Sequence, residues 1–486
     1  MKFTYSFTAL FLLVILVSSC KKDDILTDSS AKLEFSEDTV LFDTIFTSLG
    51  STTRQLKLYN RKDQPIRISS IRLAGGAPSM YRLNVDGIAG KNFYDVEIPA
   101  KDSLYIFIEV TINPSNPDIG YILQDSIVFV TNGNQQDIDL VAFGQNANFI
   151  IANKLLKAGN SFISYALLDS NLDATITWNN TLPYVIWGGY AVVDSSQTLN
   201  IQAGTKIYFA NNSGLWVYRG GTLNVSGTLA DKVIFQGIRR ESYYQDIPGQ
   251  WDRIWINEGS INNVINYAEI RNGFIGIQTE SLIDTLDPKK LKITNTIIEN
   301  MSGFGIFSRY YNIEAKNTVI SRCGQYAVAL TQGGGYEFKH CTFANYWNDS
   351  QRSTPSVYMN DYAQDQAENY YEFPLYKADF LNCIIWGNND EEIEIDYEFA
   401  SNNHQFRNVL LKKDELDVTT PNFSNILVNV NPVFVNFQEN DYQLQATSPA
   451  RDAGDTGIVS GDPDLTLDIK EINRTASPDL GAYEFQ

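Results

Sequence analysis

The strongest constraint on this chain is a short block that returns at near-constant spacing. Asn295-Thr296-Ile297-Ile298, Asn317-Thr318-Val319-Ile320, His340-Cys341-Thr342-Phe343, Asn382-Cys383-Ile384-Ile385 and Asn408-Val409-Leu410-Leu411 align, the first two 22 residues apart and the third 23 further on. Tyr267-Ala268-Glu269-Ile270 is a looser earlier copy, and a second strand follows at constant offset, Gly305-Ile306-Phe307 and then Ala327-Val328-Ala329. Short strands at such a period, without a helical pattern, predict a β-solenoid, in which each coil buries its apolar face only by stacking on the next. Asparagine at a corner tolerates left-handed φ, and its amide can bond the asparagine one coil away. Asn295, Asn317, Asn382 and Asn408 therefore read as a structural ladder with His340 substituting in it; a catalytic His340 is the alternative. Cys341 and Cys383 share the slot of Thr296 and Thr318, which predicts small core or corner residues, and a disulfide between them requires neighbouring coils.

Upstream the grammar differs. Gln55-Leu56-Lys57-Leu58-Tyr59-Asn60, Ile66-Arg67-Ile68, Ile71-Arg72-Leu73 and the run Leu104 to Val110 alternate, with turn signals at Gly75-Gly76, Asn113-Pro114, Asn116-Pro117 and Asn132-Gly133. Strands at that spacing predict a β-sandwich. Met1-Lys2, an apolar run from Ala9 to Val17 and Ser18-Ser19-Cys20 read as a signal peptide, too short and too quickly followed by charge for a stable membrane span. The formal net charge of −20 argues against nucleic acid, which needs clustered Lys and Arg, and against adsorption to anionic lipid. The only histidines are His340 and His404, the cysteines beyond Cys20 are Cys323, Cys341 and Cys383, and no Cys/His cluster suggests structural zinc.

Several of these blocks resemble known families. Val17-Ser18-Ser19-Cys20 resembles a lipobox, which implies a diacylglycerol on the Cys20 thiol and a membrane partner reached through that lipid. Lys22-Asp23-Asp24 resembles the surface-export signal of Bacteroidetes lipoproteins, which implies an outer-membrane protein facing the exterior. The order of an acidic strand, an x-L-x-L-Y-N run and Ile98-Pro99-Ala100-Lys101 before an apolar strand resembles the Ig-like domains of the ASPM/SPD-2/Hydin group, implying a spacer or docking module. Gly204-Thr205-Lys206-Ile207, Gly221-Thr222-Leu223, Gly249-Gln250-Trp251 and Tyr267 to Gly273 resemble the right-handed parallel β-helix lipoproteins common in Bacteroidetes. Ser448-Pro449-Ala450-Arg451-Asp452-Ala453-Gly454 with Asp479 to Glu484 is similar to their closing motif, of the choice-of-anchor Q type. This fold is shared with pectate lyases and other polysaccharide enzymes, so it does not settle activity. The expected organisation is a signal peptide at 1–19, a lipidated tether at 20–32, an Ig-like β-sandwich at 33–147, a right-handed parallel β-helix at 148–440 and a closing segment at 441–486.

Two regions could carry chemistry. In Asp390 to Glu398, alternation sends Ile393 and Ile395 inward and Glu392, Glu394 and Asp396 outward, about 7 Å apart. Such a row is a solvated edge, a calcium site if a neighbouring coil contributes, or a carboxylate pair for glycoside hydrolysis. No other cofactor is expected. The excursion 345–377 breaks the coil period and carries Tyr346, Trp347, Tyr358, Tyr362, Tyr370, Tyr371 and Tyr376 among Asp349, Asp361, Asp365 and Glu368. Aromatic planes beside hydrogen-bonding carboxylates suit sugar rings, which predicts a glycan platform with Trp347 and Tyr362 partly exposed; the alternative is that the rings cover the coil's flank. A smaller excursion, 239–248, adds Tyr243 and Tyr244. No nucleophile elbow, phosphate loop, polygalacturonase Asp pairs or pectate-lyase calcium signature is present. Arg271, Arg309 and Arg322 are available to a lyase, but nothing in the sequence sets them beside the acidic strand. Two functions remain: a non-catalytic surface protein that binds or presents glycan or builds a surface assembly, and a polysaccharide lyase or hydrolase. They separate on whether carboxylates from neighbouring coils converge with Arg or Lys in a groove.

Overall fold

The computed structural model describes residues 24–46, 50–112, 121–260, 262–281, 290–399 and 402–486. The signal peptide and Cys20 lie outside the described residues. Among those described, no helix is long and apolar enough to cross a membrane. The chain forms two compact units, 1–146 and 147–486.

The first unit is a β-sandwich of two five-stranded sheets. Alternation decides its core: Leu56, Leu58, Ile66, Ile68, Ile106, Ile108 and Val110 are buried, while Tyr105 and Phe107 face out. Ile66-Arg67-Ile68 and Ile71-Arg72-Leu73 belong to one strand, Ile66–Leu73, whose register shifts between Ile68 and Ser70. That irregularity lets Ile71 and Leu73 return to the face of Ile66 and Ile68 despite the odd spacing. Among its strands the pairing is antiparallel except that Thr39–Phe46 runs parallel to Asn134–Gln145, and an isolated parallel bridge joins Leu26 to Ile66.

The second unit is a parallel β-helix. Nineteen strands form one continuous parallel array and ten more form a second parallel sheet after an antiparallel hairpin at its start. A coil is readable in the pairing. Leu291–Thr294 pairs with Asn312–Lys316, Ile297–Met301 with Val319–Cys323, and Phe304–Arg309 with Val328–Thr331. The excursion 345–377 explains the long gap before Asn382, because Gly334–Lys339 pairs directly with Leu375–Leu381. Inside, like side chains stack coil on coil: Phe338, Phe380, Phe406 and Phe423 have successive ring centroids 4.9, 4.7 and 4.9 Å apart.

The aligned blocks form the corner between the two halves of the nineteen-stranded array. Asn295, Asn317, His340, Asn382 and Asn408 take φ of 50, 48, 50, 54 and 54°, and Tyr267 in the looser copy takes 48°. The Asn317 amide donates to Asn295 Oδ1 at 3.0 Å, and Asn382 Nδ2 meets His340 Nε2 at 2.9 Å. His340 is buried, and desolvation followed by the nearby Arg474 charge holds its pKa well below the usual imidazole range. It is a neutral rung of the ladder. Thr296, Thr318, Cys341 and Cys383 each donate to the carbonyl two residues before, which is why thiol and hydroxyl interchange there. Cys341 and Cys383 stand on adjacent coils, yet both are free thiols.

The ladder does not end in itself. Segment 448–486 runs along this corner and takes up its spare donors. Asn317 Nδ2 donates to Leu467 O at 2.9 Å, Asn382 Nδ2 to Asp455 O at 3.1 Å and Asn408 Nδ2 to Ala453 O at 2.9 Å. Lys316, 4 % exposed, is held by Glu314 at 2.7 Å, Asp462 at 2.5 Å and Asp464 at 3.0 Å.

Candidate functional site

The excursion is fixed at its base by a buried ion pair. Arg352 and Glu392 have side chains 1 % and 0 % exposed. Arg352 Nη2 donates to Glu392 Oε1 at 2.6 Å and to the Asn345 carbonyl at 2.9 Å, and Nη1 donates to Oε2 at 3.0 Å. Ser356 Oγ and the Asn389 N–H complete the carboxylate's shell at 2.5 and 2.8 Å. The expectation of an outward row of Glu392, Glu394 and Asp396 is therefore corrected. Alternation does turn Glu392 away from the core, but Arg352 closes over it and takes both oxygens. The calcium reading of this row loses a ligand with it, and no group of three or more Asp, Glu, His or Cys able to hold a metal occurs among the described residues.

Asp396 and the tyrosines do meet. Strand Ile393–Asp396 stacks on Val357–Asn360 in the ten-stranded sheet, with Tyr358 beside Glu394 and Asn360 beside Asp396. Tyr358 and Tyr362 both donate their hydroxyls to Asp396 Oδ2, at 2.8 and 2.6 Å. The hydrogen bond to Asp396, with burial and the carboxylate's charge, pushes the Tyr362 phenol up to about 12; burial first, then Asp396, raises Tyr358 as well. Tyr370 packs edge-on to Tyr362 at 5.0 Å and is 44 % exposed. On the other side Tyr358 meets Tyr326 at 5.5 Å, and Tyr326 stacks on Phe304 at 5.6 Å. Five rings thus line one side of the solenoid beside Asp396 and Glu394.

The remaining predicted rings go elsewhere. Trp347, expected to be partly exposed, is 6 % exposed, with its indole N–H donating to Ser350 Oγ at 3.0 Å. It packs the flank of the coils, its ring against Gly324, and cannot stack a ligand. Tyr346 lies on Phe437 at 4.4 Å and near Tyr442 at 6.2 Å, so it binds segment 434–444 and not solvent. Tyr371 is exposed but, next to Tyr370 on the ribbon strand Tyr370–Glu372, donates instead to Asp365 at 3.0 Å. Excursion 239–248 is tied to another corner, where Asn272 and Asn300 donate to Gln245 O and Asp246 O at 2.6 and 2.9 Å.

Sequence reasoning missed the other half of the aromatic face. Trp216 and Trp255, on successive coils, stack at 4.7 Å, flanked by Tyr190 and Tyr218. A cavity of about 240 Å³ opens there between Leu156, Trp216, Tyr218, Trp255, Glu258 and Glu280. Glu280 accepts from the Trp255 indole at 2.9 Å and from Asn257 Nδ2 at 2.6 Å. Trp255 registers with Gln278 and Gln278 with Phe307, joining both ring clusters along the sheet. The signal was present: Leu215-Trp216-Val217 and Ile254-Trp255-Ile256 put an aromatic where an outward polar residue is expected.

On the nineteen-stranded array, carboxylates and lysines of neighbouring coils do converge in a groove of about 390 Å³. Glu314 registers with Glu337 and Glu337 with Asp379. Lys316 bonds Glu314 at 2.7 Å, Lys339 bonds Glu337 at 2.6 Å, and Lys377 bridges Glu337 and Asp379, the latter at 3.2 Å. Burial raises the Asp379 carboxyl, whereas the two lysines hold Glu337 down despite its own burial.

No protein-family model matches the chain, and no curated protein matches it. Similar solved structures include a family 123 glycoside hydrolase from Clostridium perfringens, at 9% identity over 24% of this chain and 26% of that one, with a TM-score of 0.17. The periplasmic chaperone SfaE is similar at 14% identity over 24% of this chain and 58% of that one, TM-score 0.18. The ASH/PapD-like domain of human CEP192 is similar at 11% identity over 26% of this chain and 92% of that one, TM-score 0.17. The chain thus spans about a quarter of the hydrolase and under two thirds of SfaE. At these scores the likenesses carry no argument about function.

Proposed function

We propose that this chain is a cell-surface lipoprotein whose β-helix binds or presents glycan on the outer face of its ten-stranded sheet, without catalysis. The observation that carries the reading is the run of Tyr326, Tyr358, Tyr362 and Tyr370 beside Asp396, with rings partly open to solvent and the Tyr358 and Tyr362 phenols fixed by the carboxylate. Sugar rings stack on such planes while their hydroxyls bond at the edge. The lipid on Cys20 is the proposed link to the outer membrane, with the sandwich as spacer and the solenoid facing outward. Polysaccharide is the proposed partner; the net charge of −20 disfavours nucleic acid, and the reading calls for no cofactor. A glycan array of the intact protein tests the function: Tyr370→Ala should lose about tenfold in affinity, as expected for one stacked ring, and no binding to any glycan would end it. Cys20→Ala should move the protein from membranes to the soluble fraction, and retention there after detergent-free washing would refute the anchor.

The groove of Glu337, Asp379 and Lys377 favours a second reading, a polysaccharide lyase or glycoside hydrolase. Adjacent strands set the two carboxylates about 4.8 Å apart at the backbone, and their surroundings push the two pKa values in opposite directions, as an acid and base pair requires. Against it, lysines already occupy Glu314, Glu337 and Asp379. A product assay on uronate and neutral polymers, with Asp379→Asn as control, separates the two readings.

A further inference from the structure

We propose that the glycan recognised beside Glu394 and Asp396 carries free amines, an amino-sugar polymer with ammonium groups, and is not an acidic or neutral polysaccharide. This deepens the glycan reading of the same face and rests on it. The argument begins with charge pairing. Three carboxylates of this sheet or of the residues leading into it are matched by a cation: Glu280 with Arg309 at 3.4 Å, Asp252 with Arg253 at 2.8 Å and Glu392 with Arg352 at 2.6 Å. Glu394 and Asp396 have no such partner among the described residues. Asp396 is bonded by two neutral phenols. Glu394 is exposed, and its side chain has no hydrogen bond or ion pair with a described residue. Its carboxyl is raised first by the partial desolvation of its surroundings and then by Asp396 and Glu391, both of like sign. The uncompensated charge is bounded by aromatic rings. Tyr358 registers directly beside Glu394, and the Glu394 charge, after burial, raises the Tyr326 phenol one coil further back.

Two carboxylates without a cation, bordered by Tyr326, Tyr358, Tyr362 and Tyr370, complement an ammonium group carried on a ring. The ring stacks on the phenols, and the ammonium sits against the carboxylates and the negative faces of the aromatics. A uronate would meet like charge at this site, and a neutral sugar would leave Glu394 unpaired.

The test measures calorimetric affinity of the full-length protein for a glucosamine hexamer, its N-acetylated counterpart, oligogalacturonate and oligolysine. The glucosamine hexamer should bind at least tenfold tighter than the acetylated form, the preference should shrink at 0.5 M salt, and Glu394→Gln should abolish most of it with the melting temperature unchanged. Equal binding of the acetylated hexamer, or an unaltered preference in Glu394→Gln, overturns the inference while the glycan reading survives. Tighter oligogalacturonate binding overturns it likewise. Binding of oligolysine alone overturns both, whereas binding of none of the four overturns this inference and leaves the glycan reading to the array. Should Glu394→Gln lower the melting temperature, Asp396→Asn provides the independent arm: it removes the second carboxylate and should likewise abolish most of the amine preference, and an unaltered preference there overturns the proposal.

Discussion

Replacing Arg352 by Met removes one half of the most deeply buried ion pair in the solenoid. In the native chain Glu392 accepts two bonds from the guanidinium, one from Ser356 and one from Asn389 N–H. The variant keeps only the last two around a carboxylate with no exposed surface. An unpaired charge left in such a place costs about 3–5 kcal/mol, and the Asn345 carbonyl loses the nearer of its two donors, worth about 1 kcal/mol, with the Asn388 N–H remaining at 3.4 Å. Arg352→Met should therefore destabilise the β-helix by about 4–6 kcal/mol on those two terms. The double variant Arg352→Met/Glu392→Leu should recover most of that loss, because no charge remains to desolvate. Urea unfolding followed by tryptophan fluorescence reads both, since all seven tryptophans follow residue 177 and report on the second unit. If the single variant costs under about 1 kcal/mol, or the double is no better than the single, the pair is not the lock described. A further consequence is local: with the Asn345 contact gone, the Tyr362–Gln364/Tyr370–Glu372 ribbon loses its fixed base, so glycan affinity should fall even below the melting range.

Trp347→Ala should cost about 3–5 kcal/mol by emptying a buried site, whereas Tyr370→Ala should leave the melting temperature within a degree or two while weakening ligand; the reverse pattern would exchange their roles. Glu484, pushed up to about 7 chiefly by burial, binds its proton more tightly folded than unfolded. Stability should thus be greatest below about pH 4.5 for this group and fall by roughly 2–3 kcal/mol as pH rises to 7, with Asp479 shifted the same way; Glu484→Gln should flatten the melting curve's pH dependence, and an unchanged slope would refute the assignment. Asn317→Leu should cost about 2–3 kcal/mol, for it forces a branched side chain into left-handed φ and strips the Leu467 carbonyl of its donor.

The solenoid was legible because its rule is local and repeated. An Asn with left-handed φ, a small donor after it and two aliphatics give the same corner at Asn295, Asn317 and Asn382, and even the Cys-for-Thr exchange preserves the bond made. Alternation also located Ile393 in the core and Asp396 outside it. What alternation cannot report is what lies over the outward face. Glu392 obeys the period-two rule and is still buried, since Arg352 arrives from 40 residues away. Trp347 and Tyr370 sit in one excursion of uniform composition, and only the return path of the chain makes the first a packing residue and the second a surface one. The lysine–carboxylate groove left a fainter trace. Glu314-Ala315-Lys316 and Glu337-Phe338-Lys339 repeat one coil apart, a pattern that looks like ordinary surface charge until stacking aligns it.

Lys316 gives the corner a timetable. Its amine is kept from water by Asp462 and Asp464, which lie 146 and 148 residues further along the chain. Coils can pair with their neighbours as soon as each has been made, but this edge stays hydrated and unfastened until that distant stretch arrives. Contacts so remote in sequence form late, because the long loop must close before they are gained. The expected order of folding is a loose stack of coils first and a fastened one afterwards. A chain interrupted before residue 462 would keep its spiral while remaining easy to pull apart.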